Sequence, residues 1–323
     1  MKIYCKKFIA IAILMVIGQA SKSQIAVGNL GLVPSDKNKV TYVMMKDPQA
    51  ESAQPFIKAI EDAWTIGKLE FIKYSDQSNY NSSENYFLSI SGIIFTTKFK
   101  KDGGQGNADF SNTHVYLEYY KAAASTEKTG KKGKVTIIEG EKKQIARIEL
   151  YTDFQTLMDP ANIFANEFDG EGHIRNWGPG ILKNYLQSLM GLIKNNQERG
   201  LYTNIDKSTD LKKLWNSVLY VSEDVLIKFG KFNGDESKRF DEEDIFKNYS
   251  LKYKLISVKE LNEKILTEKE PIYYLLYIKS STDKYVTIIN SITGEMLYTH
   301  YTPMSYNFKS DDIEDVQKAI MKN

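Results

Sequence analysis

Five side chains with the chemistry of an active site occupy alternate positions in one short stretch: Asp169, Glu171, His173, Arg175 and Trp177. A carboxylate beside a histidine is a common pair for general acid–base catalysis, and both groups also bind metal ions. We therefore take Glu171 and His173 as the candidate catalytic residues. Asp169, Arg175 and Trp177 are candidate ligand contacts in the same loop.

The alternate spacing limits the metal site that this loop can form. In an extended chain, neighbouring side chains on one face lie about 7 Å apart, because each residue rises about 3.3 Å. A metal ion needs its ligands within about 2.0 to 2.6 Å. Glu171 and His173 could meet that requirement together, but adding Asp169 requires a bend, which Gly170 and Gly172 allow. We assign no metal site and expect no cofactor.

The end of the loop, Gly178-Pro179-Gly180, has two interpretations. Proline fits the first turn of a helix, and the free amides of that turn, with Arg175 close by, could bind an anion. Alternatively, the glycines and the proline only shape a connection, and Trp177 packs beneath it. We favour the connection.

The sequence contains none of the common catalytic motifs. None of its three histidines belongs to a zinc-binding HExxH helix, and it has neither a GxSxG motif nor a phosphate-binding glycine loop followed by lysine. This favours binding over catalysis. Tyr119 and Tyr273 lie in tyrosine-rich predicted strands and are candidate contacts for a peptide or glycan, since aromatic rings supply contact area at low entropy cost. The alternative is that strands favour tyrosine in general.

Residues 1–20 have the pattern of a secretory signal: three lysines, a ten-residue apolar run and a cleavage site with Gly18 and Ala20. An uncleaved anchor is the alternative, but ten apolar residues are about half of the roughly 20 that span a bilayer. We expect cleavage, export to a bacterial periplasm or the cell exterior, and no stable transmembrane segment afterwards. The single cysteine, Cys5, leaves with the signal, so the mature chain has no disulfide.

The charge of the mature chain limits its partners. Loss of the three signal lysines from the 43 basic residues leaves 40, against 41 acidic ones, so the formal charge is −1. A near-neutral chain has no charge excess for nucleic acid or for an anionic membrane surface. We expect a protein, peptide or glycan partner and no nucleic acid.

Apolar periodicity predicts an α+β fold in which a helical middle segment joins two α/β lobes. We place the N-terminal α/β lobe at residues 21–160, a loop and helical connecting region at 161–250 and the C-terminal α/β lobe at 251–323. In both lobes a strand and a helix precede several strands. Residues 40–121 and 253–301 share this order, which suggests a diverged duplication.

Helical periodicity predicts two helices in the connecting region, over residues 182–193 and 211–219. In the C-terminal lobe, Ser257 and Glu260 match a capping box, in which each side chain satisfies a free amide at a helix start. Acidic residues after Ser310 predict the start of a last helix, because the helix dipole favours negative charge there.

Three functions are consistent with these patterns. The first is an exported non-catalytic binding or envelope-associated protein whose ligand is unknown. The second is a hydrolase, with or without a metal ion, that uses the loop at residues 169–177. The third is a structural assembly subunit. We favour the first because catalytic motifs are absent.

Overall fold

The computed structural model describes residues 23–100, 107–123, 126–129, 135–138, 141–158, 173–202, 204–206, 209–230 and 234–322. The predicted signal at residues 1–20 lies outside these ranges. In the described part of the chain, no helix is long and apolar enough to cross a membrane.

The described residues form helices and mixed sheets, so the predicted α+β class is confirmed. The strands are β1 (Ile25–Val27), β2 (Val40–Met45), β3 (Lys68–Lys73), β4 (Tyr86–Lys100), β5 (Asn107–Lys121), β6 (Thr126–Thr129), β7 (Val135–Ile138), β8 (Lys143–Glu149), β9 (Tyr151–Thr152), β10 (Ile174–Arg175), β11 (Leu219–Ser222), β12 (Ile227–Lys228), β13 (Lys238–Arg239), β14 (Tyr253–Ile256), β15 (Tyr273–Ser280), β16 (Asp283–Asn290) and β17 (Met296–Thr302). The helices are α1 (Gln54–Ala63), α2 (Gln77–Tyr80), α3 (Phe154–Met158), α4 (Pro179–Lys194), α5 (Glu242–Phe246), α6 (Val258–Thr267) and α7 (Ser310–Lys322).

Two large sheets share one strand arrangement. The first has the order β1-β8-β5-β4-β2-β3, and the second has the order β14-β11-β15-β16-β17. In the first, β2 is parallel to β3 and β4, whereas β5 and β8 continue the sheet antiparallel. In the second, β11 is parallel to β14 and β15, whereas β16 and β17 continue it antiparallel. Five strands therefore correspond in order and direction.

This correspondence differs from the one that the sequence suggested. Residues 253–256 were expected to match the strand at 40–45, but β11 occupies that position in the second sheet and β14 corresponds to β3. The second sheet therefore takes a strand from residues 161–250, which the sequence assigned to the connecting region. A shared strand order does not by itself establish common descent, so the duplication stays a prediction.

The two sheets share one buried core. Helix α4 packs on both α1 and α6, and the apolar residues of the three helices join one cluster with inward-facing residues of both sheets, such as Leu88 on β4 and Leu276 on β15. The opposite face of the second sheet packs on α5, α7 and the 3-10 helix Thr209–Trp215. The helical layer therefore holds the sheets together by apolar burial, at roughly 1.5 to 3 kcal/mol per large side chain.

Helix starts follow the local signals. Helix α4 begins at Pro179, as expected for proline in a first turn. Ser257 accepts a hydrogen bond from the Glu260 amide at the start of α6, which confirms the predicted cap. The helix predicted over residues 211–219 is a 3-10 helix that ends at Trp215, and its predicted last residue, Leu219, begins β11. Leu211 and Leu214 of the predicted apolar face are buried, whereas Trp215 is 47% exposed.

Candidate functional site

The described part of the predicted loop lies beside β9. Strand β10 pairs with β9, which places Arg175 opposite Tyr151, and the Asp153 amide donates to the His173 carbonyl at 2.9 Å. His173 Nδ1 contacts Asp153 Oδ2 at 2.5 Å. Burial would raise the pKa of Asp153, but hydrogen bonds from His173 and Thr156 lower it below its ordinary value. His173 therefore has a carboxylate partner other than Glu171.

Asp169 and Glu171 lie outside the described residues, so their roles stay predictions. The pair of His173 with either carboxylate is untested for the same reason. Within the described ranges, no group of three or more histidine, cysteine, aspartate or glutamate side chains is placed to hold a metal ion.

The start of α4 is closed by Asn262 of α6. Its Oδ1 accepts a hydrogen bond from the Ile181 amide at 3.0 Å, and its Nδ2 donates to the Trp177 carbonyl at 3.2 Å. A side chain at Gly178 would overlap Asn262, with the nearest atom at 2.4 Å. Trp177 is 5% exposed and packs on Phe56, with ring centres 6.2 Å apart. This geometry matches the packed connection that we favoured, because a side chain already occupies the position of an anion.

The two predicted tyrosine contacts are core residues. Tyr119 packs edge-on against Trp64 with ring centres 5.1 Å apart, and its ring is fully buried. Tyr273 on β15 is 3% exposed and belongs to the core between the second sheet and its outer helices. Neither ring has surface left for a ligand, so this placement gives no support to a binding role.

The Glu236 carboxylate joins the half-buried Arg175 to the buried Lys279. Arg175 Nη2 donates to Glu236 Oε2 at 2.7 Å, and Lys279 Nζ contacts Glu236 Oε1 at 3.2 Å. Lys279 is 0% exposed, and its ammonium lies 3.4 Å from the centre of the Phe229 ring. Burial lowers the pKa of Lys279 to about 8, although Glu236 opposes the shift.

Glu149 on β8 is the centre of a second buried contact between the sheets. Arg147 Nε and Ser280 Oγ each donate to one of its carboxylate oxygens. His114 Nδ1 lies 3.6 Å from Oε2 of Glu149 and 3.2 Å from Ser280 Oγ. Burial would raise the pKa of Glu149, but His114, Arg147 and Ser280 lower it below its ordinary value.

This second contact is unsuited to nucleophilic catalysis. A serine–histidine–carboxylate triad needs the hydroxyl and the carboxylate on opposite nitrogens of the ring. Here Ser280 and Glu149 both lie at Nδ1 of His114, and the Ser280 hydroxyl donates to the carboxylate. We use the name inter-sheet network for the residues of this second contact: His114, Arg147, Glu149 and Ser280.

An open groove lies at the edge of the first sheet. Strand β1 pairs with β8 on one side, and on the other side Val27 and Arg199 exchange backbone hydrogen bonds of 2.7 and 2.8 Å. After β1 the chain turns at Asn29, which has a φ of 50°, into the 3-10 helix Leu30–Leu32. The space enclosed has a volume of about 1270 Å³ and is lined by residues 26–29, 31–32, 141–147 and 198–201. We call this space the β1 groove.

Three glycines keep the β1 groove wide. A Cβ atom built at Gly28, Gly31 or Gly200 would meet nothing within 4 Å. None of the three has the positive φ that distinguishes Gly67 or Gly178. Neither packing nor backbone conformation therefore requires glycine at these positions, and their effect is to leave the groove unfilled.

The charges that line the β1 groove fall into two groups. Lys142 contacts Glu118, and Arg147 contacts Glu149, so both cations are neutralised by buried carboxylates. The guanidinium of Arg199 has no hydrogen bond or ion pair within the described part of the chain, although burial lowers its pKa below the ordinary value. Arg199 is thus a partly buried cation that faces an open space.

Sequence reasoning missed Glu149, Lys279 and Arg199. Lys279 carried a signal, because a charge inside an apolar strand must find a buried partner. The β1 groove carried none, since its three walls come from segments far apart in the sequence.

Neither a scan against protein-family models nor a search of curated proteins gives a match for this chain.

Proposed function

We propose that the chain is a non-catalytic binding protein that takes its ligand in the β1 groove. The observation that carries this proposal is the open volume of about 1270 Å³ beside three glycines that the fold itself does not need. Ligand sites are typically concave spaces of roughly 300 to 1,000 Å³ with a few polar groups. The larger size suits an extended ligand.

The titratable groups support binding over catalysis. The acid–histidine contact at Glu149 lacks the geometry of a nucleophile relay, and the low-pKa amine of Lys279 is completely buried. A general base must reach the substrate proton. The Lys279 amine has no such access.

The test is a pair of equal substitutions at two glycines. Backbone NMR shifts would be followed while a pool of random N-acetyl tripeptides is titrated into the protein and into the Gly31→Leu and Gly191→Leu variants. Gly31 lines the groove, whereas Gly191 lies on α4 with equally open space at its Cβ. We expect shifts at residues 26–32, 141–147 and 198–201 that Gly31→Leu abolishes and Gly191→Leu retains. Shifts elsewhere, or equal effects of both variants, would contradict the proposal.

A second candidate function is hydrolysis, and the contact between His173 and Asp153 favours it. A carboxylate at Nδ1 orients a histidine to act as a base through Nε2. The His173 side chain is 23% exposed, so a substrate could reach it. Turnover of an activated ester that His173→Gln removes, with melting temperature unchanged, would support this function. Equal turnover in the variant would reject it.

We also propose that the protein is exported, on the strength of the signal pattern at residues 1–20. Expression of the full chain in a bacterium should yield a secreted or periplasmic product whose N-terminus lies near Ser21. An intact N-terminus in the cytoplasmic fraction would contradict export.

A further inference from the structure

We propose that Arg199 binds a carboxylate of a peptide ligand in the β1 groove. This inference rests on the proposed function, because it assigns the ligand class of the same groove. Two observations support it: the partly buried guanidinium of Arg199 has no partner among the described residues, and the walls of the groove are aliphatic.

The backbone of Arg199 is held in place, whereas its guanidinium has no partner among the described residues. Its backbone is held by the two hydrogen bonds to Val27, so the guanidinium starts from a defined place in the wall. Burying a charge is unfavourable unless it is paired. No described carboxylate pairs with Arg199, whereas Arg147 in the same wall has Glu149. A ligand carboxylate would supply the missing pair, and arginine suits it because its planar donors match both oxygens.

The remaining charges limit how many anionic groups the ligand has. Lys143 and Arg199 are the lining cations that lack a carboxylate partner within the described ranges, and Glu141 and Glu198 are lining carboxylates in the same situation. These four charges cancel. A polyanion needs a net positive surface, so the groove fits a ligand with a single carboxylate.

The apolar wall favours a peptide over a glycan. Its apolar residues are aliphatic: Ala26, Val27, Leu32, Ile145, Ala146 and Leu201. No aromatic ring occurs among the described residues of the lining. Sugars present apolar faces that stack on aromatic rings, whereas aliphatic walls accept peptide side chains. The ligand class is therefore a peptide with a free carboxylate.

The experiment compares two forms of one probe. A pool of N-acetyl tripeptides that contain no aspartate or glutamate and have free C-terminal carboxylates is titrated into the protein, and the same pool as C-terminal amides is titrated separately. We expect the acid pool to bind at least 10-fold more tightly, since a charge-assisted pair contributes more than a neutral hydrogen bond. Arg199→Gln should weaken the acid pool by about 10- to 100-fold and leave the amide pool unchanged. Arg199→Lys should recover part of the loss.

Controls separate this inference from the proposed function. Lys143→Gln removes an exposed groove cation and should change acid binding far less than Arg199→Gln. If acids and amides bind equally and Gly31→Leu abolishes both, the carboxylate contact at Arg199 is wrong but binding in the β1 groove stands. No binding of the acid pool at millimolar concentration, or binding unaffected by Gly31→Leu, would overturn both. If the acid peptides do not bind but glucuronate binds in a manner that depends on Arg199, the ligand is an acidic sugar and the peptide assignment is wrong.

Discussion

Two arginines line the β1 groove in opposite circumstances. Arg147 donates to Glu149 and lies 3.9 Å from the centre of the Tyr116 ring, so the fold neutralises its charge. The guanidinium of Arg199 has no hydrogen bond or ion pair among the described residues. The difference separates structure from function: a charge that the fold neutralises stabilises the molecule, and a charge left open is available to a ligand.

The inter-sheet network and the β1 groove extend this comparison. The network joins β8 to β15 through Glu149 and Ser280, and it leaves little room for exchange with solvent. The groove lies along the same strand, where β1 extends the first sheet beyond the five strands that both sheets share. At the corresponding edge of the second sheet, the described residues show a single bridge between Ile205 and Thr299. The candidate site therefore arises where the two sheets differ.

The largest effect is expected from removing the centre of the network. Glu149→Leu leaves Arg147 without its carboxylate, and breaking one side of a buried ion pair costs about 3 to 5 kcal/mol. Glu198→Leu, in the groove, should change the free energy of unfolding by less than about 0.5 kcal/mol. Urea unfolding of both variants measures the difference. Similar small losses would show that Glu149 is not a structural centre.

The next effect contrasts two glycines. Gly178 has a φ of 149° and a ψ of 171°, a region that costs other residues about 1 to 3 kcal/mol, and a Cβ there would overlap Asn262. Gly28 in the groove has open space at its Cβ. Gly178→Ala should therefore lower the free energy of unfolding by at least that amount, while Gly28→Ala should leave it nearly unchanged. An equal loss at Gly28 would mean that the groove glycines serve the fold.

A smaller effect should appear in the pH dependence of stability. The pKa of Lys279 is about 8 in the folded protein and 10.5 when exposed, so between these values the unfolded chain binds more protons. The contribution of Lys279 to stability therefore rises with pH across this window, by at most about 1.4 kcal/mol per pH unit. Unfolding of Lys279→Met between pH 8 and 10 should lack this rise. If the free energy of unfolding of the variant rises equally with pH, Lys279 is not the group that titrates in this window.

The smallest effect is expected at Arg199. Because no described group pairs with its charge, Arg199→Met should change the free energy of unfolding by less than about 1 kcal/mol. The melting temperature should therefore stay unchanged or rise slightly. The same substitution at Arg147 should destabilise the protein. Thermal unfolding of the two variants without ligand tests the comparison directly. A clear loss at Arg199 would indicate a structural role.

Local signals predicted much of the fold. The cap at Ser257 and the proline at the start of α4 depend on neighbouring residues, so the sequence was sufficient to predict them. Strand β11 was missed because its residues continue an apolar helical stripe, and pairing with β14 and β15 decides its conformation. Long-range pairing overrides a local pattern when it buries the same residues better.

The candidate site was less predictable than the fold. The alternate spacing predicted a candidate site at residues 169–177. The described part of that stretch packs as a connection, with Trp177 buried and Arg175 paired to Glu236. The β1 groove needs β1, β8 and residues 198–201 together. These segments are far apart in the sequence, so no local pattern of residues could predict the groove.

The sequence by itself determined the α+β class, the near-neutral charge and the starts of α4 and α6, because each depends on composition or on adjacent residues. Only the tertiary structure decided which charges are paired. Arg147 and Arg199 are the same residue type, and they differ because the Glu149 carboxylate lies beside the Arg147 guanidinium whereas open space lies beside that of Arg199. Charge pairing is a property of three-dimensional distance, which a sequence pattern does not contain.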